Sequence, residues 1–148
     1  MPMAPYHIEQ LKNCILVTLR GEWDMATNIR YLGELSDCLE KRSGKPFHLI
    51  VDMRVWQDPR SDSNIKMKST IKLDRRNQLS ELWLEDDNSE TDHIVENFFT
   101  DIAFTLDRTK HFSTFIALCE TKAELIVVDY IKSWVSRNTE RDEVDKQN

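Results

Sequence analysis

The sequence predicts an α/β fold with a mixed sheet of four or five strands and packed helices. Two short apolar runs, residues 14–19 and 47–53, have the composition of strands that are covered on both faces. A long segment with apolar residues at helical spacing separates them, and the connections on either side are short. A strand, a helix and a second strand in this order are typical of a parallel pair joined by a crossover.

The first third of the chain has the clearest pattern. Residues 6–11 and 13–20 predict two extended segments that meet at a polar turn. The helix should begin after Asp24, a favourable N-cap residue, and should end near Lys41, ahead of Gly44. Its expected core stripe consists of Met25, Ile29, Leu32, Leu35 and Leu39.

The charged middle of the chain allows two interpretations. Residues 65–74 alternate between apolar and polar side chains, which favours a half-buried strand. One long helix over 63–85 is the alternative. However, residues 60–78 carry six basic and two acidic residues, whereas 81–92 carry six acidic and no basic ones, so this helix would oppose its own macrodipole. We therefore expect a strand at 65–74 and a short helix near 77–84.

The last third predicts a helix, a strand and a further helix. The first helix starts at Ser89 or Thr91 and runs to about residue 110, and the strand covers residues 112–119. The final helix is capped by Thr121 and ends near residue 138.

This pattern divides the chain into one domain and a tail. Residues 1–138 form the domain, with 54–92 as a charged insertion, because no proline- or glycine-rich linker interrupts them. Residues 139–148 are almost without apolar side chains, which predicts a disordered polar tail.

Length and charge exclude several classes of protein. The chain has 148 residues and a net charge of −6, so it lacks the basic excess of a general nucleic-acid binder. No apolar run is long enough for a membrane span, and the first residues do not resemble a secretory signal. We therefore predict a cytoplasmic protein with no nucleic-acid partner, in which Cys14, Cys38 and Cys119 are reduced thiols.

Motifs that carry chemistry are missing from the sequence. It contains no glycine-rich phosphate loop and no G-x-S-x-G nucleophile motif. It also contains no C-x-x-C or H-E-x-x-H spacing for a metal. We therefore predict a non-enzymatic protein without a metal or another cofactor.

Two tryptophans stand at positions that suit a ligand. Trp23 and Trp56 follow the carboxyl ends of the predicted parallel strands, the edge at which open α/β sheets bind ligands. Together with Phe98, they would line a groove for a small apolar or lipid-like molecule. The alternative, that the rings only cover the end of the core, stays open.

The N-terminal pattern resembles the STAS domain, the fold of sulphate-transporter tails and anti-sigma-factor antagonists. The resemblance covers residues 6–58. Gly21 and Asp24 resemble the glycine and aspartate that lead from the first long strand into the first helix, and Asp52 resembles the aspartate that ends the second. Residues 112–135 fit the family's later strand and helix more loosely. The resemblance implies a STAS-like α/β fold in a bacterial regulatory protein.

Members of this family that act as switches are phosphorylated in an Asp-Ser-Ser-Gly-type motif. The corresponding place here is residues 60–64, where Ser61 and Ser63 are the candidates for phosphorylation. Arg60 and Asp62 replace the motif's first aspartate and second serine, and its glycine is absent. These departures are closer to the SpoIIAA-like branch of uncharacterised bacterial proteins.

Together these observations favour a cytosolic regulatory module that binds a partner protein. Its partner surface would lie in the polarised segment 60–92. The alternative function is binding of a small apolar or lipid-like ligand. The apolar breadth of residues 94–106 also suggests a homodimer.

Overall fold

The computed structural model describes residues 4–147, and within them it contains seven strands and five helices. The strands are β1 (Tyr6–Leu11), β2 (Cys14–Leu19), β3 (Gly21–Glu22), β4 (Phe47–Asp52), β5 (Trp56–Gln57), β6 (Gln78–Leu84) and β7 (Thr105–Thr109). The helices are α1 (Met25–Lys41), α2 (Asp62–Thr70), α3 (Asp92–Phe98), α4 (Phe112–Glu120) and α5 (Leu125–Gln147). The chain therefore has the α/β class that its sequence predicts.

A mixed five-stranded sheet has the strand order β1-β2-β4-β6-β7. The hairpin partner β1 is antiparallel to β2, and the other neighbours are parallel. Two short strands, β3 and β5, form a separate parallel pair beyond the carboxyl ends of β2 and β4. The predicted hairpin and the predicted strand–helix–strand unit are both confirmed.

Helix α1 begins where the sequence predicts. The carboxylate of Asp24 accepts a hydrogen bond from the backbone N–H of Thr27 at 2.9 Å, which satisfies one of the free donors of the first turn. The predicted stripe is only partly correct, because Ile29 is 46% exposed. Tyr31, which is not part of the predicted stripe, is buried on this helix instead of Ile29.

Helices cover both faces of the sheet. Side chains alternate along β2, so that Ile15 and Val17 face the core under α1. The neighbouring Leu16 faces the opposite core, where α4 and α5 pack. This two-sided cover explains why β2 and β4 have nearly continuous apolar sequences.

The prediction for the charged middle is wrong in both of its elements. Residues 65–74 are not a strand, because α2 occupies residues 62–70. The helix ends before the charges become unfavourable: Asp62 lies in its first turn and Lys68 in its last, and both suit the macrodipole. Residues 77–84 are not a helix, because β6 is the strand between β4 and β7.

The predictions for the last third also need correction. The predicted helix up to residue 110 ends at Phe98, and β7 follows it. The run at 112–119, predicted as a strand, is helix α4. A short apolar run of this kind fits a buried strand and a buried helix equally well, and packing against α5 and the sheet decides between them.

Residues 139–147 continue helix α5, whereas the sequence predicts a disordered tail there. Arg54 donates to the Thr139 hydroxyl at 3.0 Å, and Arg20 donates from Nε to the Asp142 carboxylate at 2.8 Å. These polar contacts anchor a segment whose one apolar residue, Val144, is exposed. Residue 148, the rest of the predicted tail, lies outside the described residues.

No helix within residues 4–147 combines the length and the apolar composition that a membrane crossing requires.

Candidate functional site

The two predicted groove tryptophans meet beyond the sheet. The pairing of β3 with β5 places Gly21 opposite Trp56, so that the rings of Trp23 and Trp56 pack edge-to-face with their centroids 5.4 Å apart. Trp23 also donates its indole N–H to the carbonyl of Arg20 at 2.8 Å. Both rings are buried, and they close this end of the core.

A cluster of paired charges fills the edge of the sheet next to these rings. Asp52, which ends β4, is fully buried and accepts hydrogen bonds from Arg20 at 2.9 Å and from Arg54 at 2.8 Å. The amide of Asn138 donates to the same carboxylate at 3.1 Å. Burial opposes ionisation of Asp52, but the hydrogen bonds and charges of the two arginines outweigh it and lower the pKa. Each charged side chain of this cluster has an oppositely charged partner within 3 Å. We therefore interpret the cluster as structural.

A cavity of about 220 Å³ lies on the face of the sheet that α1 covers. Its lining includes Trp83 of β6 and Tyr31 of α1. Phe98 of α3 and Trp56 of β5 line it as well. We call this space the aromatic cavity. It includes two of the predicted groove residues, Trp56 and Phe98, whereas Trp23 packs behind Trp56.

One buried ion pair lies in the wall of the aromatic cavity. Glu81 of β6 is 4% exposed, and its carboxylate accepts from Arg75 at 2.9 Å, from Gln78 at 3.1 Å and from the indole N–H of Trp83 at 2.7 Å. The Arg75 guanidinium also packs over the ring of Phe99 at 5.5 Å. The negative charge of Glu81 is therefore neutralised and hydrogen bonded.

A second polar cluster joins the helices that surround the cavity. The buried carboxylate of Asp58 accepts from Lys68 of α2 at 2.6 Å and from Asn28 of α1 at 2.9 Å. His93 of α3 contacts the same carboxylate through Nε2 at 3.2 Å. Asn28 also donates to Asn64 of α2 at 3.3 Å. One carboxylate thus holds three helices around the aromatic cavity.

Tyr31 adds a hydroxyl group to the wall. Burial, together with the nearby charge of Glu81, raises the pKa of Tyr31, while the charge of Arg75 acts in the opposite direction. The hydroxyl is therefore protonated at neutral pH and able to donate a hydrogen bond. The ring packs against Trp23 and Tyr6, with centroids 5.3 Å and 5.5 Å away.

The two candidate phosphorylation sites lie at the start of α2. Ser61 is the exposed N-cap residue, and its hydroxyl accepts from the backbone N–H of Asn64 at 3.1 Å. Ser63 is exposed within the first turn. Both hydroxyls are therefore accessible from solvent, at a helix N-terminus that favours negative charge.

Sequence reasoning missed the buried polar residues in and around the cavity. Asn28, Asp58 and Glu81 are buried, although their residue types usually lie at the surface. One signal could have indicated that Glu81 is buried: it stands among the leucines of the run Gln78–Leu84, two residues before a tryptophan.

Across the described part of the chain, no group of three histidine, cysteine, aspartate or glutamate side chains has the arrangement of a metal site.

Comparison with known proteins adds no family assignment to this geometry. No protein-family model matches the chain, and no curated protein matches it either.

Proposed function

We propose that this chain is a non-enzymatic binding module that holds a small apolar or amphipathic ligand in the aromatic cavity. The observation that carries the proposal is the cavity itself, about 220 Å³ of space walled by aromatic and other apolar side chains and by a few polar groups. Concave, mostly apolar sites with a small number of fixed polar groups are the usual form of a small-molecule site.

The three surrounding helices support this proposal. Asp58 connects α1, α2 and α3 through Asn28, Lys68 and His93, so the walls of the cavity are fixed by hydrogen bonds. A site whose walls are already ordered loses less conformational entropy when a ligand binds.

Filling the cavity tests the proposal. Leu73 is half-buried in the cavity wall, so Leu73→Trp should obstruct the space. Leu79 is 47% exposed and lies outside the wall, so Leu79→Trp is the matched control. Native mass spectrometry of freshly purified protein should show a retained small molecule in the wild type and the control but not in Leu73→Trp.

Benzene provides a second measurement that does not depend on a retained molecule. Because benzene should bind the folded state alone, it should raise the melting temperature of the wild type and of Leu79→Trp, but not of Leu73→Trp. A wild type with no retained molecule and no response to benzene would show that the proposed function is wrong.

A second candidate function is regulation of a partner protein, in the manner of the anti-sigma-factor antagonists of the STAS family. The observation that favours it is the exposed hydroxyl of Ser61 at the N-cap of α2, the helix that follows the second long strand. In this candidate the protein is bacterial and cytoplasmic, and phosphorylation of Ser61 releases the partner.

Charge substitution tests the second candidate. A partner that co-purifies with the wild type and with Ser61→Ala should be lost from Ser61→Asp, while Ser113→Asp, at an exposed position in the first turn of α4, controls for added charge. Equal recovery with Ser61→Asp would contradict a switch at this residue. Light scattering of the purified protein checks the predicted homodimer.

A further inference from the structure

We infer that the aromatic cavity takes an uncharged bicyclic aromatic molecule that carries a hydrogen-bond acceptor, such as a ring nitrogen or a carbonyl group. This inference rests on the proposed ligand-binding function and names the chemical class of the ligand. Its four supports are the size, the walls, the charge balance and the hydrogen-bond donors of the cavity.

The size of the cavity limits the ligand to a small molecule. A cavity of about 150 Å³ accepts benzene, and drug-sized ligands occupy about 300–1,000 Å³. The aromatic cavity, at about 220 Å³, lies between these limits. A molecule of two fused rings is therefore the closest match in size.

The walls favour a flat ring over a flexible chain. Alongside nine other apolar side chains, five aromatic rings line the space: those of Tyr31, Trp56, Trp83, Phe98 and Phe99. Such rings gain from edge-to-face and offset stacking with another aromatic ring, beyond the gain from buried area. A rigid ring also loses less conformational freedom on binding than an alkyl chain does.

The charge balance favours an uncharged ligand. Arg75 and Lys68 both line the cavity, but each already has an acid partner. Arg75 is 2.9 Å from the Glu81 carboxylate, and Lys68 is 2.6 Å from that of Asp58. An ionic ligand would either bury an unmatched charge or break one of these pairs, and both are unfavourable in a buried site.

The polar groups of two wall residues are donors. Trp56 is 5% exposed, and its indole N–H has no hydrogen-bond partner within residues 4–147. An indole N–H can only donate. The Tyr31 hydroxyl, which is protonated at neutral pH, is a second donor in the same wall. A ligand that presents an acceptor would satisfy one of them, and buried donors are normally satisfied.

Three probes of similar shape test this chemistry. Naphthalene has no polar group, quinoline adds one acceptor nitrogen without a charge at neutral pH, and 2-naphthoate adds a negative charge. Equilibrium dialysis at neutral pH should show quinoline binding about fivefold more tightly than naphthalene, the effect of one hydrogen bond. Binding of 2-naphthoate should be weaker than that of quinoline.

Two substitutions identify the donor. Tyr31→Phe removes the hydroxyl and keeps the ring, and Trp56→Phe removes the indole N–H. In at least one variant the preference for quinoline should shrink to less than about twofold, while naphthalene binding is retained and shows that the cavity is intact. A preference that survives in both variants would overturn the inference, and so would tightest binding of 2-naphthoate.

One further probe separates this inference from the proposed function. If 1-octanol binds to the wild type, and is excluded by Leu73→Trp, while none of the ring probes binds, the aromatic class is wrong and the ligand-binding function stands. If neither the ring probes, nor 1-octanol, nor benzene binds, the ligand-binding function itself is wrong.

Discussion

Arg20 and Asp52 form an ion pair of 2.9 Å in which both side chains are almost completely buried, with 5% and 0% exposure. Arg54 shares the same carboxylate oxygen at 2.8 Å. Asp52 is therefore the common acceptor for two cations at the carboxyl end of β4.

Replacement of Asp52 should strongly destabilise the fold. Asp52→Ala leaves the buried Arg20 with Asp142 as its remaining acidic partner and removes the carboxylate that Arg54 shares; removal of one partner of a buried pair costs about 3–5 kcal/mol. Urea unfolding measures this loss. The exposed pair of Arg60 with Glu90 is the control, since Glu90→Gln should lower the free energy of unfolding by about 1 kcal/mol or less. Similar losses in the two variants would contradict the burial argument.

Acid should weaken the protein partly through the same carboxylate. The pKa of Asp52 is lower in the folded protein than in the unfolded chain, where it is about 3.9. The stability from its ionised form is therefore fully present above that value and is lost as the pH falls through the lower, folded pKa. In urea unfolding from about pH 5 down to about pH 3, Asp52→Asn should lose less stability than the wild type. Equal losses would contradict this assignment.

Ser61 should stabilise α2, whereas Ser63 should not. Ser61→Ala removes the acceptor for the Asn64 N–H, and loss of an N-cap of this kind costs about 1 kcal/mol. Hydrogen exchange of the first amides of α2 should become faster in Ser61→Ala. Ser63→Ala, one position into the first turn, is the matched control and should leave the exchange unchanged. A similar acceleration in both variants would contradict the capping role.

The three thiols should differ in reactivity. Burial raises the pKa of Cys14 to about 11 and that of Cys119 to about 12, so the reactive thiolate is scarce in both. Cys38 is only half-buried, and burial raises its pKa too. Iodoacetamide at mildly alkaline pH should therefore label Cys38 first, as read by peptide mass spectrometry. In concentrated urea all three should react alike, and preferential labelling of Cys119 in the folded protein would contradict the burial argument.

The first third of the fold could be predicted because local and tertiary signals agree there. The apolar composition of β2 and β4 reflects burial on both faces, and Asp24 provides the cap that its position suggests. The error over residues 65–74 has a physical cause. Helix α2 buries Asn64, and no apolar side chain of this helix is fully buried, so its sequence has no core stripe.

The site was predictable only in its aromatic part. Trp56 and Phe98 carry a visible hydrophobic signal, and both line the cavity. The polar part depends on partners that are distant in sequence, such as Asn28 and Asp58, which are 30 residues apart. Strand β6 was predicted as a short helix because Glu81 interrupts its apolar run, unlike the nearly continuous runs of β2 and β4.

The contact between Arg20 and Asp142 has a consequence for biosynthesis, because the two residues are 122 positions apart. At synthesis rates of about 5–20 residues per second, the ribosome adds Asp142 about 6–24 seconds after Arg20. During that interval Arg20 lacks at least one of its two acidic partners, Asp52 and Asp142. Completion of this edge of the sheet is therefore a late event that follows translation of α5.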